Sequence, residues 1–355
     1  MNSITKLRLA FVKLAFVLVG VLVLATVASG CGGKEESVST KKEESAPTKH
    51  VLRAAYVTAA SEYDQHTRLF KIFKEEVERR TNGDVQIVIH PGGELGGERE
   101  YIEMLQTGDL AFTDIAGAPL AGYTDALKFL DVPLLFKDIE EAYAFTKSDV
   151  AKAKLKKLED IGLVGLSLSA VGGRHILTVK EHPIYSIDDL QGLKIRVMET
   201  PIQVEGMKLL GAVATPMPYT ECYQAMQTGV IDGMENQIPT YITMRFYEVA
   251  PNYSMVGWLQ LFHIFLASKE AMDSLPPEYQ QIIREAAEKA AAETSEWTIN
   301  FEQEEGVKKL KELGVNVTHP DKKPFMERLK PLNEKYKDLI GEDVLNWLEE
   351  CREKK

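Results

Sequence analysis

Cysteine is scarce in this chain: three among 355 residues, at positions 31, 222 and 351. None sits in a CxxC pair or a Cys/His spacing suited to zinc, and so few cannot build a disulfide framework. Cys222 and Cys351 therefore read as packed or incidental thiols. An excess of positive charge is missing too. The formal net charge of -11 excludes nucleic acid as a partner, because phosphate recognition needs a basic face. Small anions stay open, since a few buried cations can bind one inside an acidic protein. Catalytic signatures are also lacking. The seven histidines, at 50, 66, 90, 175, 182, 263 and 319, form no HExxH or HxH group, and there is no GxSxG elbow or GxxxxGK loop. The glycines of PGGELGGE (91–98) read as a surface turn. Neither metal nor cofactor is expected, although catalytic groups converging from distant positions would escape a reading by spacing.

Long apolar runs are confined to one place. Lys6, Arg8 and Lys13 precede the uncharged LAFVLVGVLVLATVA (14–28), a basic region followed by an apolar stretch of signal-peptide length, short for a spanning helix. It ends in ASGC, which resembles a bacterial lipobox. The expectation is a lipoprotein signal peptide over 1–30 and lipidation at Cys31; an uncleaved anchor helix is the alternative. Both put the bulk of the chain outside the cytoplasmic membrane. Residues 31–50 have almost no apolar content and read as a flexible tether.

From Val51 the pattern is that of an α/β protein. LRAAYV (52–57) and VQIVIH (85–90) read as strands around a helix with Leu69, Ile72, Phe73 and Val77 on one face. A helix ending at Gly108 and the strand LAFTDI continue the alternation expected of a parallel sheet with crossover helices. HILTVK, GLKIRV, ATPMPY and VIDG repeat the theme. EMLQTGDLAFTD (103–114) echoes QAMQTGVIDGME (224–235), a hint of two similar halves or of one helix-stop solution used twice. Between Pro277 and Gly314 lies a helical pattern of about 37 residues, roughly 55 Å at 1.5 Å per residue, which must kink or run across two domains.

In GLKIRVMETP (192–201), Arg196 stands near the carboxyl end of a strand, just before a helix start at Thr200 and Pro201. Open α/β sheets bind ligands beyond the carboxyl ends of their strands, and a guanidinium matches a carboxylate with two parallel donors. A solvated strand arginine or a structural salt bridge is the alternative.

The stretches VGGRHILTV, IDDLQGLKIRVMETP, GAVATPMPYTECYQAMQTGVIDGMENQ, FHIFLASKEAMDSLPPEYQQII and IHPGGELGGEREYIEMLQTGDLAF resemble the solute-binding proteins of tripartite ATP-independent periplasmic (TRAP) transporters, of the dicarboxylate-binding type. The resemblance implies a two-lobed periplasmic-binding-protein fold (type II-like) with a hinge and a long bridging helix. Residues 51–171 with 262–300 would form lobe I, and 172–261 with 301–355 lobe II. It implies that Arg196 clamps the ligand carboxylate, with Arg174 as a second basic position. Asn236 would hydrogen-bond ligand oxygens, Tyr219 would close over the ligand, and Trp258 would reach the cleft. Read as residues alone, Tyr219 and Trp258 fit a core equally well, and Arg174 fits a structural ion pair. Glu199 is a further acceptor for hydroxyls, or a helix-start acid; Thr58 is a polar contributor from the first strand's end. Gln237 departs from the family's usual proline, and Met234 stands where a polar residue is frequent. The implied partners are a small organic acid (C4-dicarboxylate, oxo or hydroxy acid, or sugar acid) and TRAP membrane subunits. The protein is expected to be a monomer, held by its lipid on the periplasmic or cell-surface face of the cytoplasmic membrane, and not an enzyme. The competing readings are a lipoprotein hydrolase of organic acid esters and a ligand sensor for a membrane receptor.

Overall fold

A computed structural model describes residues 49–354. The signal-peptide region, Cys31 and nearly all of the tether lie outside the described residues. Nine strands form one sheet: β1 (His50–Ala55), β2 (Val85–His90), β3 (Phe112–Ala116), β4 (Leu163–Thr178), β5 (Lys194–Val197), β6 (Val213–Pro216), β7 (Gly233–Asn236), β8 (Asn252–Ser268) and β9 (Asn316–Thr318). Their order is β2-β1-β3-β8-β4-β7-β5-β6, with β9 paired to β8. The blocks β2-β1-β3 and β7-β5-β6 are parallel within themselves. Each meets one long strand in antiparallel pairing, β3 with β8 and β7 with β4, and β4 pairs antiparallel with β8 between them. This is a two-lobed α/β fold in which two half-sheets share a central ribbon.

The long strands are the hardest to read in the sequence. Only the HILT of HILTVK is strand, the end of the 16-residue β4, and the 17-residue β8 covers NYSMVGWLQLFHIFLAS. Both are almost wholly buried, so the alternation of polar and apolar residues that marks a half-exposed strand is absent. Their pairing slips at Gly165/Ser167, Ala170/Gly172 and Arg174/Ile176. Such bulges bend and twist a ribbon.

The echo between the two halves falls on equivalent elements. Helix Glu98–Gln106 leads through Thr107 and Gly108 into β3, and helix Cys222–Gln227 leads through Thr228 and Gly229 into β7. Both glycines have positive φ, 76° and 74°, which favours glycine just after a helix. β3 and β7 are each the end strand of their block, paired to the central ribbon. In the alignment of these two stretches Asp114 of β3 corresponds to Glu235 of β7.

The long C-terminal helical stretch is broken once. Helix Pro277–Asn300 passes through a π turn at Phe301–Glu305 into helix Gly306–Glu312. Ala286, Ala287 and Ala290 pack on the β1–β3 side with Phe70 and Phe73, while Phe301 and Leu310 pack with Met234 and Tyr253 on the other. The helix therefore runs across both halves. The final helix, Glu342–Glu353, departs from its expected place in the second lobe. Val344 and Leu348 pack with Phe129, Phe145 and Leu155, and Arg352 donates to Glu141 at 2.8 Å. Cys222 is buried and both described cysteines are free. Among the described residues no helix is long and apolar enough to cross a membrane.

Glu302, in the π turn, lies against the ribbon. Its carboxyl occupies the space that a side chain at Gly172 (φ +109°) would fill. Burial raises its pKa from 4.5 to about 8. A carboxyl raised in the folded state contributes stability below its unfolded value, and that contribution is lost as pH rises through the folded value. Glu302→Gln mimics the protonated form. Its melting temperature relative to the parent should therefore climb between about pH 4.5 and about pH 8, ending a few degrees higher. Differential scanning fluorimetry across that range checks it; a difference that does not vary with pH contradicts the assignment.

Candidate functional site

The carboxyl ends of β1, β3, β5 and β7 and the starts of the helices that follow them converge on one cavity. Its walls include Thr58, His66, Glu98, Arg174, Arg196, Tyr219, Asn236, Gln237 and His263. Five of the residues singled out in the sequence, Thr58, Arg174, Arg196, Tyr219 and Asn236, thus meet at one place. At about 30 Å³ the cavity holds a water or two.

Both arginines are buried, and each has fixed partners. Arg196 donates through Nε and Nη2 to the Met217 carbonyl, at 3.0 and 2.8 Å. Its Nη1 is buried without a hydrogen-bond partner, 3.7 Å from Glu235 Oε1. Arg174 donates to Gln237 Oε1 at 3.1 Å and to the Glu235 carbonyl at 2.6 Å, and its Nε contacts Glu235 Oε2. Burial, then the positive charge of Arg196, lowers the Arg174 pKa. Glu235 is fully buried and is the anion between the two guanidiniums.

Tyr219 forms a wall beneath Arg196, whose guanidinium lies 5.9 Å from the ring centroid. Its hydroxyl accepts from Asn236 Nδ2 at 3.3 Å, and burial raises its pKa. Gln237, the departure from the family's proline, is a junction. It accepts from Arg174 and donates to Gln65 Oε1 at 3.2 Å and Thr240 Oγ1 at 2.8 Å. Gln65 in turn donates to the Val171 carbonyl at 2.7 Å. The chain links the start of the first helix to the central ribbon and to Arg174.

Trp258 does not reach this cavity. Leu261 and His263 of β8 line it, so the strand's alternation turns Trp258 and Gln260 to the opposite face. There Trp258, 1% exposed, packs with Phe325, Leu329 and Leu332 beside a separate void of about 350 Å³ that no arginine lines. Glu199 lies at the rim, 3.5 Å from Arg99 Nη2, in a neighbouring recess that Arg196, Met198, Tyr219 and Glu98 also line. It faces a cation across the mouth rather than the interior. Thr200 takes the N-cap position but makes no capping hydrogen bond.

Several wall residues carry no signal in the sequence. Glu98, which accepts the Ala116 N–H at 3.0 Å, has its pKa raised by burial, an effect that the Ala116 bond and then His66 oppose. The His66 and His263 rings lie with centroids 4.3 Å apart, tilted by 31°, beside Asp114, 3.2 Å from His263 Nδ1. Thr58 Oγ1 lies 3.1 Å from His66 Nδ1. Nothing in the spacing of these residues marks them; only the sheet brings them together.

A family model described as bacterial extracellular solute-binding protein, family 7, matches residues 55–339 of this chain. A solute-binding protein of Chromohalobacter salexigens is 33% identical over 270 residues, covering 74% of this chain and 78% of the relative. The crystal structure of a TRAP periplasmic solute-binding protein from Xanthobacter autotrophicus Py2, with bound β-D-galacturonate, aligns with a TM-score of 0.76 and 32% identity, over 84% of this chain and 97% of that one. A TRAP periplasmic solute-binding protein from Bordetella, with density interpreted as pantoate, aligns with a TM-score of 0.80 and 25% identity, over 84% and 98%.

Proposed function

Since this chain belongs to the bacterial extracellular solute-binding proteins of family 7, we propose that it captures a hydroxylated monocarboxylate outside the cytoplasm and hands it to a TRAP-type secondary transporter. The observation that carries this reading is Arg196 Nη1, a buried donor without a hydrogen-bond partner at the wall of a cavity between two half-sheets. Glu235 Oε1, at 3.7 Å, offsets its charge but lies too far to accept from it; the unmet donor is costly until an acceptor reaches it, and a ligand carboxylate oxygen supplies one. Arg174 is already committed to Glu235 and Gln237, so a second acid group finds no second free guanidinium. The rest of the wall offers Thr58, His66, Asn236 and Gln237, which suit hydroxyls. Galacturonate and pantoate, in the two structural relatives, are acids of this kind.

In this account residues 51–171 with 262–300, joined by the C-terminal helix, form one lobe, and most of the remaining described residues form the other. The ribbon β4–β8 bends near its bulges to open and close the cleft. The closed form docks on the transporter's membrane subunits. Residues 1–30 direct export, and a lipid on Cys31, through the tether, holds the protein at the membrane as a monomer. The cargo leaves unchanged.

A thermal-shift screen tests the reading, because a ligand that binds the native state raises its stability by mass action. Sugar acids and hydroxy acids should raise the melting temperature, and the matching neutral sugars should not. A flat response to every carboxylate, or conversion of a bound acid to product, would overturn it.

A further inference from the structure

We propose that His66, Asp114 and His263 form a binding site for one divalent first-row transition-metal ion in the wall of the ligand cavity. One donor atom from each residue lies within 4.8 Å of the other two, and all three residues are buried. His66 Nε2 stands 3.8 Å and His263 Nδ1 3.2 Å from the same oxygen, Asp114 Oδ2. Three ligands held tetrahedrally at roughly 2.0–2.2 Å from a metal lie roughly 3.3 Å from each other, so these side chains need shift by little more than an ångström. Two imidazoles and one carboxylate suit zinc, cobalt or nickel better than calcium or magnesium, which prefer all-oxygen shells.

His263 Nδ1 and Asp114 Oδ2 share a hydrogen bond at 3.2 Å, but hydrogen bonds leave the rest of this group unfinished. Thr58 Oγ1 holds His66 Nδ1 at 3.1 Å, which turns Nε2 toward Asp114. Neither His66 Nε2 nor Asp114 Oδ1 has a hydrogen-bond partner, and both are buried. If Nε2 carries a proton, 3.8 Å is too long to deliver it to the carboxylate; if it does not, its lone pair faces an anion. A cation about 2 Å from Nε2 and from Asp114 Oδ2 gives the imidazole a partner. A hydroxyl or carbonyl that fixes the other ring nitrogen is the usual way to orient a metal-binding histidine.

Charge points the same way. Asp64 and Asp114 are buried, lie 3.2–3.8 Å from the imidazole nitrogens of His66 and His263 and, among the described residues, pair with no arginine or lysine. The pseudo-symmetry of the halves sharpens the contrast. Glu235 is compensated by two arginines, whereas its counterpart Asp114 has only two imidazoles, which compensate it as well once a metal joins them. The three protein ligands leave a coordination position open, and because His66 and His263 line the cavity, a ligand hydroxyl completes it. Only that last point rests on the proposed function; metal uptake itself does not.

The test is titration of metal-stripped protein with Co(II) alone, followed by Zn(II). The expected result is one equivalent of Co(II) giving visible d–d bands, displaced by Zn(II). Asp114→Asn and His263→Ala should each weaken uptake by at least about a hundredfold, while His90→Ala and His319→Ala leave it unchanged. Because the first two positions are buried and their variants can misfold, the parent protein supplies an independent arm: on adding Zn(II), two of the seven histidine Hε1 proton signals should shift. No uptake, uptake retained in folded Asp114→Asn and His263→Ala, or shifts confined to other histidines would each overturn the site. None of these outcomes bears on whether the protein binds an organic acid.

Discussion

Glu235→Gln loses about 3–5 kcal/mol of folding stability when no acid is bound, and gains a larger thermal shift when one is. The carboxylate is fully buried between Arg174 Nε and Arg196 Nη1. Glutamine keeps the volume and removes the charge, so two guanidiniums face each other in a water-poor cavity without an anion. Removing one partner of a buried ion pair costs about 3–5 kcal/mol, because the remaining charge is left uncompensated. A bound organic acid then supplies the missing charge, which makes the acid-induced stabilisation larger in the variant than in the parent. Urea unfolding reads the first effect and thermal shift at saturating acid the second. A variant as stable as the parent, or one with a smaller acid response, contradicts the arrangement of the three residues.

Arg196→Lys lowers affinity for the acid by about a hundredfold, corresponding to the loss of roughly 3 kcal/mol from one charge-assisted hydrogen bond and its geometry. The arginine does two jobs at once. Nε and Nη2 bind the Met217 carbonyl, which anchors the guanidinium over Tyr219 and aims Nη1 at the cavity. Lysine carries a compact point charge on a flexible stem. It can reach the Met217 carbonyl or the ligand but has no rigid fork to span both. Calorimetric titration of each protein with the same acid measures the difference; equal dissociation constants would remove Arg196 from the binding site.

How legible the site is in the sequence depends on how each residue acts. Arg196 is legible because its position relative to a strand and a helix start is a local property. Arg174 and Asn236 are legible only by resemblance, since nothing in VGGRH or DGMEN alone identifies a wall residue. Glu235 stands next to Asn236 without any mark of its own; its importance lies in two arginines on other strands. The resemblance assigns Trp258 to the cleft, but it belongs to the opposite face, because the bulged ribbon decides which side of β8 each residue takes. The histidines show the limit most plainly. His66 begins a helix, Asp114 lies in β3 and His263 lies inside β8, so their meeting is a product of strand order. The fold is legible in its parallel blocks and hidden in its centre, where complete burial erases periodicity.

The central claim is that this cavity selects for a carboxylate. Calorimetric titration of the parent protein with galacturonate, or with whichever acid the screen favours, and then with the methyl ester of that acid, tests it most directly. Esterification removes the negative charge and keeps the hydroxyls. The account predicts measurable binding of the acid and an affinity at least about a hundredfold lower for the ester, the size of one charge-assisted contact to Arg196. Equal affinity for the two would contradict it.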